Sequence, residues 1–237
     1  MDHRKINSGD AFVCLRGFTV DGHDYAEQAI EKGATIIIAE QDMKTSVATI
    51  VVPDTSRALA FIAAKFYDFP TSKLSLIGIT GTNGKTTTTY LLEAIFKQDQ
   101  KNTGLIGTIQ MKIGDKTYPV NNTTPDSLLL QKTFKQMVDE EIDTAIMEVS
   151  SHALDYRRVD GIRYDIAGFT NLTQDHLDLH GTMESYFDSK AELFTPARTR
   201  RAVITADDRW GLAMAERAVQ ALGARAVVRL FTNFGAG

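Results

Sequence analysis

The sequence predicts an α/β protein in two parts, a small α/β domain over residues 1–70 and a doubly wound α/β domain over 71–237, on three observations. Short apolar runs alternate with stretches of helical spacing along the chain. A cluster of turn signals, Asp68-Phe69-Pro70-Thr71-Ser72, interrupts that alternation. A strand, a glycine loop and a helix then follow one another from residue 74. Pro70 biases Phe69 away from helix, so the interruption reads as the boundary between the domains.

In the first part, strands are expected over 11–15, 36–39 and 49–52, with turns at Gly17 and Asp21-Gly22 and a helix over 25–32 that stops at Gly33. Thr55 is expected to cap a second helix whose apolar face comprises Leu59, Ile62, Ala63 and Phe66. The second part opens with a strand over 74–79 and a helix to about residue 98, with Leu91, Leu92 and Ile95 on its buried side. A strand from 105, a hairpin at Gly114-Asp115, a helix over 126–140 and a strand over 144–149 come next. Strands at 165–170 and 201–205 flank a helix carrying Tyr186, Lys190 and Phe194. A helix after Asp207-Asp208 then leads to a strand over 226–231. This alternation is that of a largely parallel sheet covered by helices on both faces.

With 237 residues, 43% of them hydrophobic and five prolines, the chain can bury a real core and carries no mark of disorder. Twenty-six basic against 30 acidic residues give a formal charge of -4, which supplies no basic field for nucleic acid, so any phosphate must be held locally. Cys14 stands alone and excludes an internal disulfide. Apolar runs such as Ile36–Ala39 are too short to span a bilayer, and no apolar segment follows the charged start Met1-Asp2-His3-Arg4-Lys5. A cytoplasmic protein without membrane or nucleic-acid partners is expected.

The chemistry-bearing segment is Thr80-Gly81-Thr82-Asn83-Gly84-Lys85-Thr86-Thr87, at the end of a strand and the start of a helix. Glycines let backbone N–H groups turn toward phosphates, the helix N-terminus adds partial positive charge, Lys85 suits a terminal phosphate, and the Thr86 hydroxyl suits Mg2+. The match to G-x-x-x-x-G-K-[ST] departs at its first position, where Ile79 stands and Gly78 lies one residue early. An ordinary strand-to-helix turn with an exposed lysine is the plain alternative.

This loop is similar to that of Mur ligases and folylpolyglutamate synthetases, and four further segments resemble the MurE-type branch of the Mur ligase family. They are Asn122-Thr123-Thr124-Pro125, Glu148-Val149-Ser150-Ser151-His152-Ala153-Leu154, the run from Asn171 through Asp175-His176-Leu177-Asp178 to Gly181, and Ser189-Lys190-Ala191-Glu192-Leu193-Phe194. Order and spacing match too, and the resemblance reaches from the stretches around 9–13 and 19–23 to about Phe231. It implies a UDP-binding first domain and a phosphate-loop ATPase second domain. That second domain is expected to be incomplete, and a C-terminal Rossmann-like domain to be absent. The chain alone is therefore expected to be marginally stable and unable to complete the reaction, whereas the complete enzyme is expected to be monomeric.

The resemblance implies an ATP-dependent ligase of peptidoglycan synthesis. ATP phosphorylates a carboxylate of UDP-N-acetylmuramoyl-L-alanyl-D-glutamate, and the amine of a diamino acid, meso-diaminopimelate or L-lysine, attacks the acyl phosphate to form an amide. Two anions must approach, so metal ions and lysines have to neutralise charge. By resemblance, Gly81, Thr82, Asn83, Gly84, Lys85, Thr86, Thr87 and Asn171 hold ATP; Thr86 and Glu148 hold one Mg2+ and His176 a second. Lys85, Lys190 and His176 are then the catalytic residues. Read from residue type alone, Lys190 is a solvated helix lysine; the resemblance makes it a carbamate formed with CO2, a carboxylate-like metal ligand. Asn122, Thr123, Thr124, Ser150 and Arg158 would hold the muramoyl peptide, although Thr123 and Thr124 equally suit capping of the next helix. Asp2-His3-Arg4 resembles the family's Asp-Ser-Arg signature, with His3 in place of the serine at the uridine. His152 and His180 read as local hydrogen-bonding residues. Three other readings stay open: a folylpolyglutamate synthetase, a phosphate-loop kinase or GTPase, and a non-catalytic fragment that binds only nucleotide or UDP-sugar.

Overall fold

The computed structural model describes residues 3–17 and 20–232, and of His3 only the backbone. The chain forms two compact units, Met1–Ile62 and Ala63–Gly237. Among the described residues no helix is long and apolar enough to cross a membrane.

In the first unit β1 (Ala11–Val13), β2 (Ile36–Ala39) and β3 (Ala48–Val51) form a parallel three-stranded sheet in that order, with α1 (Ala26–Glu31) between the first two strands. The period of two in a strand sends successive side chains to opposite faces. Phe12, Cys14, Ile37 and Ala39 therefore pack with Ala26 and Ala29 on one side, while Val13 and Ile38 pack with Leu59 on the other. Helix α2 (Thr55–Phe66) departs from expectation twice. Its N-cap is Asp54, which accepts from Arg57 N at 2.8 Å, whereas the Thr55 amide and hydroxyl both donate to Glu40 at 3.0 Å. Its buried face is Leu59, Ala60, Ala63 and Ala64, and the expected members Ile62 and Phe66 are exposed.

The second unit begins with β4 (Ser75–Thr80), α3 (Lys85–Gln98), β5 (Thr103–Ile106) and the antiparallel hairpin β6 (Met111–Ile113) and β7 (Lys116–Tyr118). It continues through α4 (Ser127–Asp139), β8 (Thr144–Glu148), α5 (Ser151–Asp155), β9 (Tyr164–Phe169), α6 (Leu177–His180) and α7 (Met183–Ala191). It ends with β10 (Thr199–Thr205), α8 (Arg209–Leu222) and β11 (Val227–Leu230). The sheet order is β11-β10-β9-β4-β8-β5-β6-β7, parallel except at β6 and β7. The chain leaves β4 for β5 on one side, returns to β8, and crosses to β9 on the other. The reversal at β4 opens a crevice at the carboxyl ends of the strands, where ligands bind in sheets of this kind.

Helix α3 is turned by about one residue relative to the expected face. Thr89 and Glu93 are buried, and Leu92 and Phe96 pack on Ile77, Ile79 and Ile146, but Leu91 and Ile95 are 59% and 63% exposed. The loop preceding the helix fixes this rotation, because the same turn has to aim Lys85 and Thr86 into the crevice. Gly78 explains the imperfect loop motif: a Cβ there would lie 2.8 Å from the ring of buried Tyr164, so this glycine serves packing within β4, and Ile79 is an ordinary core residue.

Candidate functional site

Four segments meet at the carboxyl edge: the loop after β4, Gly107-Thr108 after β5, Glu148 to Ser150 after β8, and Thr170 to Thr173 after β9. The loop after β4 holds positive φ at Gly81 (143°) and Gly84 (84°), as a glycine-lined phosphate cradle requires. It is fastened to the segment after β9. Thr82 N donates to Asn171 O at 2.9 Å, Asn83 N to Asn171 Oδ1 at 3.0 Å, and Asn171 Nδ2 and Thr170 Oγ1 to Asn83 O at 3.1 and 2.6 Å. Thr82 and Thr173 exchange hydrogen bonds at 3.2 and 3.0 Å.

The N-terminus of α3 has no capping side chain, while Asp126, Thr182 and Asp208 cap α4, α7 and α8. Its first amides thus face the loop as an anion would require. Lys85 Nζ donates to Gly81 O at 2.8 Å and Thr82 O at 2.9 Å, so its ammonium lies across the loop. Thr87 is exposed on the next position of the helix.

Glu148 is fully buried and accepts three bonds: from Thr86 Oγ1 at 2.9 Å, Thr108 N at 2.9 Å and Thr108 Oγ1 at 3.0 Å. A Cβ on Gly107 would stand 2.3 Å from the same carboxylate, so that glycine gives Glu148 its room. The hydroxyl and carboxylate fit Mg2+, which takes one or two carboxylates and completes its shell from water and phosphate. Among the described residues there is no cluster of three or more histidine, cysteine, aspartate or glutamate side chains able to hold a metal.

Lys190 is 1% exposed, against the solvated reading of its residue type. Tyr186, Lys190 and Phe194 share one inward stripe, and the lysine occupies an apolar position of it. Its Nζ donates to Gly81 O at 3.1 Å, the same carbonyl that Lys85 uses, and lies 4.4 Å over the Tyr186 ring. Burial, with the Lys85 charge second, lowers the Lys190 pKa to about 7; burial also lowers that of Lys85, against the pull of Glu148 and Asp175.

The remaining residues divide. His176 is exposed, sits in the left-handed region (φ 51°), and meets His152 and Tyr186 edge-on at 4.8 and 6.2 Å between ring centroids. His180 is held by Ser151 Oγ at 3.0 Å and Asp155 at 3.4 Å, in keeping with a local hydrogen-bonding role. Thr124 is buried: its hydroxyl donates to Glu148 O at 2.9 Å and accepts from Ser150 N at 3.1 Å, while its carbonyl accepts from Arg158 at 3.0 Å. Neither Thr123 nor Thr124 caps α4, since Asp126 is closer to its first turn and accepts from Leu129 N; the Thr123 hydroxyl instead shares a hydrogen bond with that of Thr108 at 3.1 Å. Ser150 caps α5, and Asn122 is exposed. Asp2, Thr19 and the His3 side chain lie outside the described residues. The sequence reading missed Thr108 and Tyr186. A Gly-Thr pair directly after a strand that ends at this edge was the available sign of the first, and the Tyr-x-x-x-Lys spacing of the second.

Gly81→Ala is expected to destroy the site, since the new Cβ would meet Thr170 Oγ1 at 1.9 Å in a backbone region alanine avoids. Calorimetry with ATP should show affinity reduced at least about 100-fold, because the loop and its bonds to Asn171 have to shift.

A model described as the Mur ligase middle domain matches residues 79–230, and one described as the Mur ligase family catalytic domain matches 1–67. A UDP-N-acetylmuramoyl-L-alanyl-D-glutamate--2,6-diaminopimelate ligase of Bacillus velezensis is 55% identical over 216 residues, covering 88% of this chain and 44% of its own length. The chain thus spans a little under half the length of such relatives. A solved structure of a ligase of the same name superposes with TM-score 0.83 at 28% identity, over 100% of this chain and 48% of that one. A folylpolyglutamate synthase of Mycobacterium tuberculosis, solved with ADP and AMPPCP, matches 74% of this chain and 47% of its own at 19% identity and TM-score 0.60, a likeness of fold alone.

Proposed function

The chain belongs to the Mur ligase family, and from that membership we propose that it serves an ATP-dependent ligase of peptidoglycan synthesis. The ligase joins a diamino acid, diaminopimelate by the names of its relatives, to UDP-N-acetylmuramoyl-L-alanyl-D-glutamate. The observation that carries the reading is the convergence on one loop of two lysines, at 2.8 and 3.1 Å from Gly81 O, with the Thr86–Glu148 pair beside them.

When bound, ATP supplies the phosphoryl group that activates the substrate carboxylate, and Mg2+ spreads the phosphate charge. The chain's part is to position and neutralise. Lys85 would exchange its two loop carbonyls for the terminal phosphate, and the amides of Gly84 to Thr87 would face the phosphates. Thr86 and Glu148 would hold the metal, with Thr108 fixing the carboxylate. His176, exposed at the edge of the site, would hold a second metal. Asn171 keeps the loop open in shape.

Lys190 serves as a carbamate. Its amine adds CO2 and releases a proton, replacing a cation by an anion, and only the neutral amine can do so. A pKa of about 7 leaves a large neutral share near neutral pH, where an ordinary lysine would have almost none. Asn122, Thr123 and Arg158 offer donors to the muramoyl peptide, Thr124 and Ser150 shape the same wall, and His3 belongs to the uridine end.

Phosphate release by the full-length protein tests this. Release should require both UDP-N-acetylmuramoyl-L-alanyl-D-glutamate and diaminopimelate, and should fall when L-lysine replaces the latter. Release driven by a folate and glutamate, or indifferent to the amine, would refute the proposal.

A further inference from the structure

Tyr186 contacts both Lys190 and the phosphate loop. The side chain is 1% exposed, and its ring carries Lys190 Nζ 4.4 Å from its centroid. Its hydroxyl shares a hydrogen bond with Thr82 Oγ1 of the phosphate loop at 3.3 Å. His180 stacks on the ring at 4.7 Å with a 31° tilt and is itself pinned between Ser151 at 3.0 Å and Asp155 at 3.4 Å. Burial holds His180 below the usual imidazole range, so it favours the neutral ring, which can accept at one nitrogen and donate at the other. A lysine has four rotatable bonds and no shape of its own. On a buried helix face it needs a partner to fix where its nitrogen lies. Gly81 O supplies one such partner, and the face of Tyr186 supplies another by attracting the ammonium while walling the stem.

We propose that Tyr186 is the positioning residue that couples Lys190 to the phosphate loop, its ring seating the lysine, its hydroxyl holding Thr82, and His180 bracing the ring. The inference rests on the reading of Lys190 given above, and its physical content is that the ring and the hydroxyl have separable effects. A chain of contacts thus runs from Asp155 and Ser151 through His180 and Tyr186 to Lys190 and Thr82. The order of α5, α6 and α7 thereby determines where the amine stands relative to the loop.

The test uses the full-length protein in CO2-free buffer, with an amine acylating reagent and peptide mass spectrometry to read labelling at each lysine. Tyr186→Leu removes ring and hydroxyl and is expected to raise labelling of Lys190 about tenfold. Lys112 on β6, half-buried with its Nζ 2.8 Å from Glu93, reports general loosening and should not change. Tyr186→Phe keeps the ring and should leave Lys190 protected, while weakening ATP about threefold through the lost bond to Thr82. His180→Gln, which leaves Tyr186 in place, should raise Lys190 labelling about threefold. Unchanged labelling in both Tyr186→Leu and His180→Gln, a rise in Tyr186→Phe equal to that in Tyr186→Leu, or a rise matched by Lys112 in every variant overturns the proposal. Amide formation separates this failure from the larger one. If Lys190→Ala abolishes turnover and the Tyr186 variants leave kcat and Lys190 labelling untouched, only the present inference falls. If Lys190→Ala leaves turnover intact, the reading of Lys190 falls.

Discussion

Glu148→Gln is expected to lower ATP-dependent amide formation at least about 100-fold, the scale on which loss of one charge-stabilising group in an active site is felt. The carboxylate is 0% exposed and takes three donated bonds, from Thr86 Oγ1 and from the amide and hydroxyl of Thr108. An amide of the same shape cannot accept all three: its NH2 would face a donor, leave it unsatisfied, and remove the negative charge that suits a cation. The loss should appear as a fall in kcat and in the Mg2+ dependence of nucleotide binding. Thr108→Val should reproduce part of it, because the carboxylate then keeps its charge and one of the two Thr108 bonds. Glu148→Gln with unchanged Mg2+ dependence would remove Glu148 from the metal site.

The second large effect is at Lys190. Lys190→Ala should abolish amide formation while leaving ATP affinity within a few-fold of the starting protein, since Lys85 and the loop amides remain. Lys190→Met isolates the electrostatics with little change of volume. The amine faces Lys85, Asp175, Asp155 and the Tyr186 ring, and burial is the main reason its pKa falls from 10.5 to about 7. Between those values the folded chain binds fewer protons than the unfolded chain, so the contribution of Lys190 to stability rises with pH across that window. It is least below about pH 7, where the folded state has to carry a buried ammonium. Denaturant titrations in CO2-free buffer should show the difference between starting protein and Lys190→Met changing with pH by up to about 1.4 kcal/mol per unit. A difference independent of pH would mean that Lys190 is not buried as described.

Much of the architecture was legible because it rests on local patterns. Asp208 marks a helix start, the helix expected over 126–140 forms over Ser127–Asp139, the Gly114-Asp115 hairpin joins β6 to β7, and alternation of apolar runs with helical spacing gives the order of strands and helices of the second unit. What failed was rotation about helix axes. Apolar character places Leu91 and Ile95 inward. In the fold, the inward face of α3 is Thr89, Leu92, Glu93 and Phe96, since the loop before it dictates the phase. The same holds for Ile62 and Phe66 on α2, which are exposed while Ala60, Ala63 and Ala64 are buried. Apolar identity records a tendency, whereas packing distance and the preceding turn decide which side is available.

By itself, the sequence determined the strand–loop–helix unit at 74–98, the presence of Lys85 and Thr86 at a helix start, and the segments whose likeness led to the family, because these depend on residues close together in the chain. The tertiary structure alone decided that Lys190 is buried, that it shares the Gly81 carbonyl with Lys85, that Thr108 binds Glu148, and that Tyr186 stands between lysine and loop. The Thr108–Glu148, Tyr186–Thr82 and Lys190–Gly81 pairs lie 40, 104 and 109 residues apart. Only closure of the parallel sheet around β4 brings them within hydrogen-bonding distance, and burial there, which no residue carries in its own chemistry, is what lowers the pKa of Lys190.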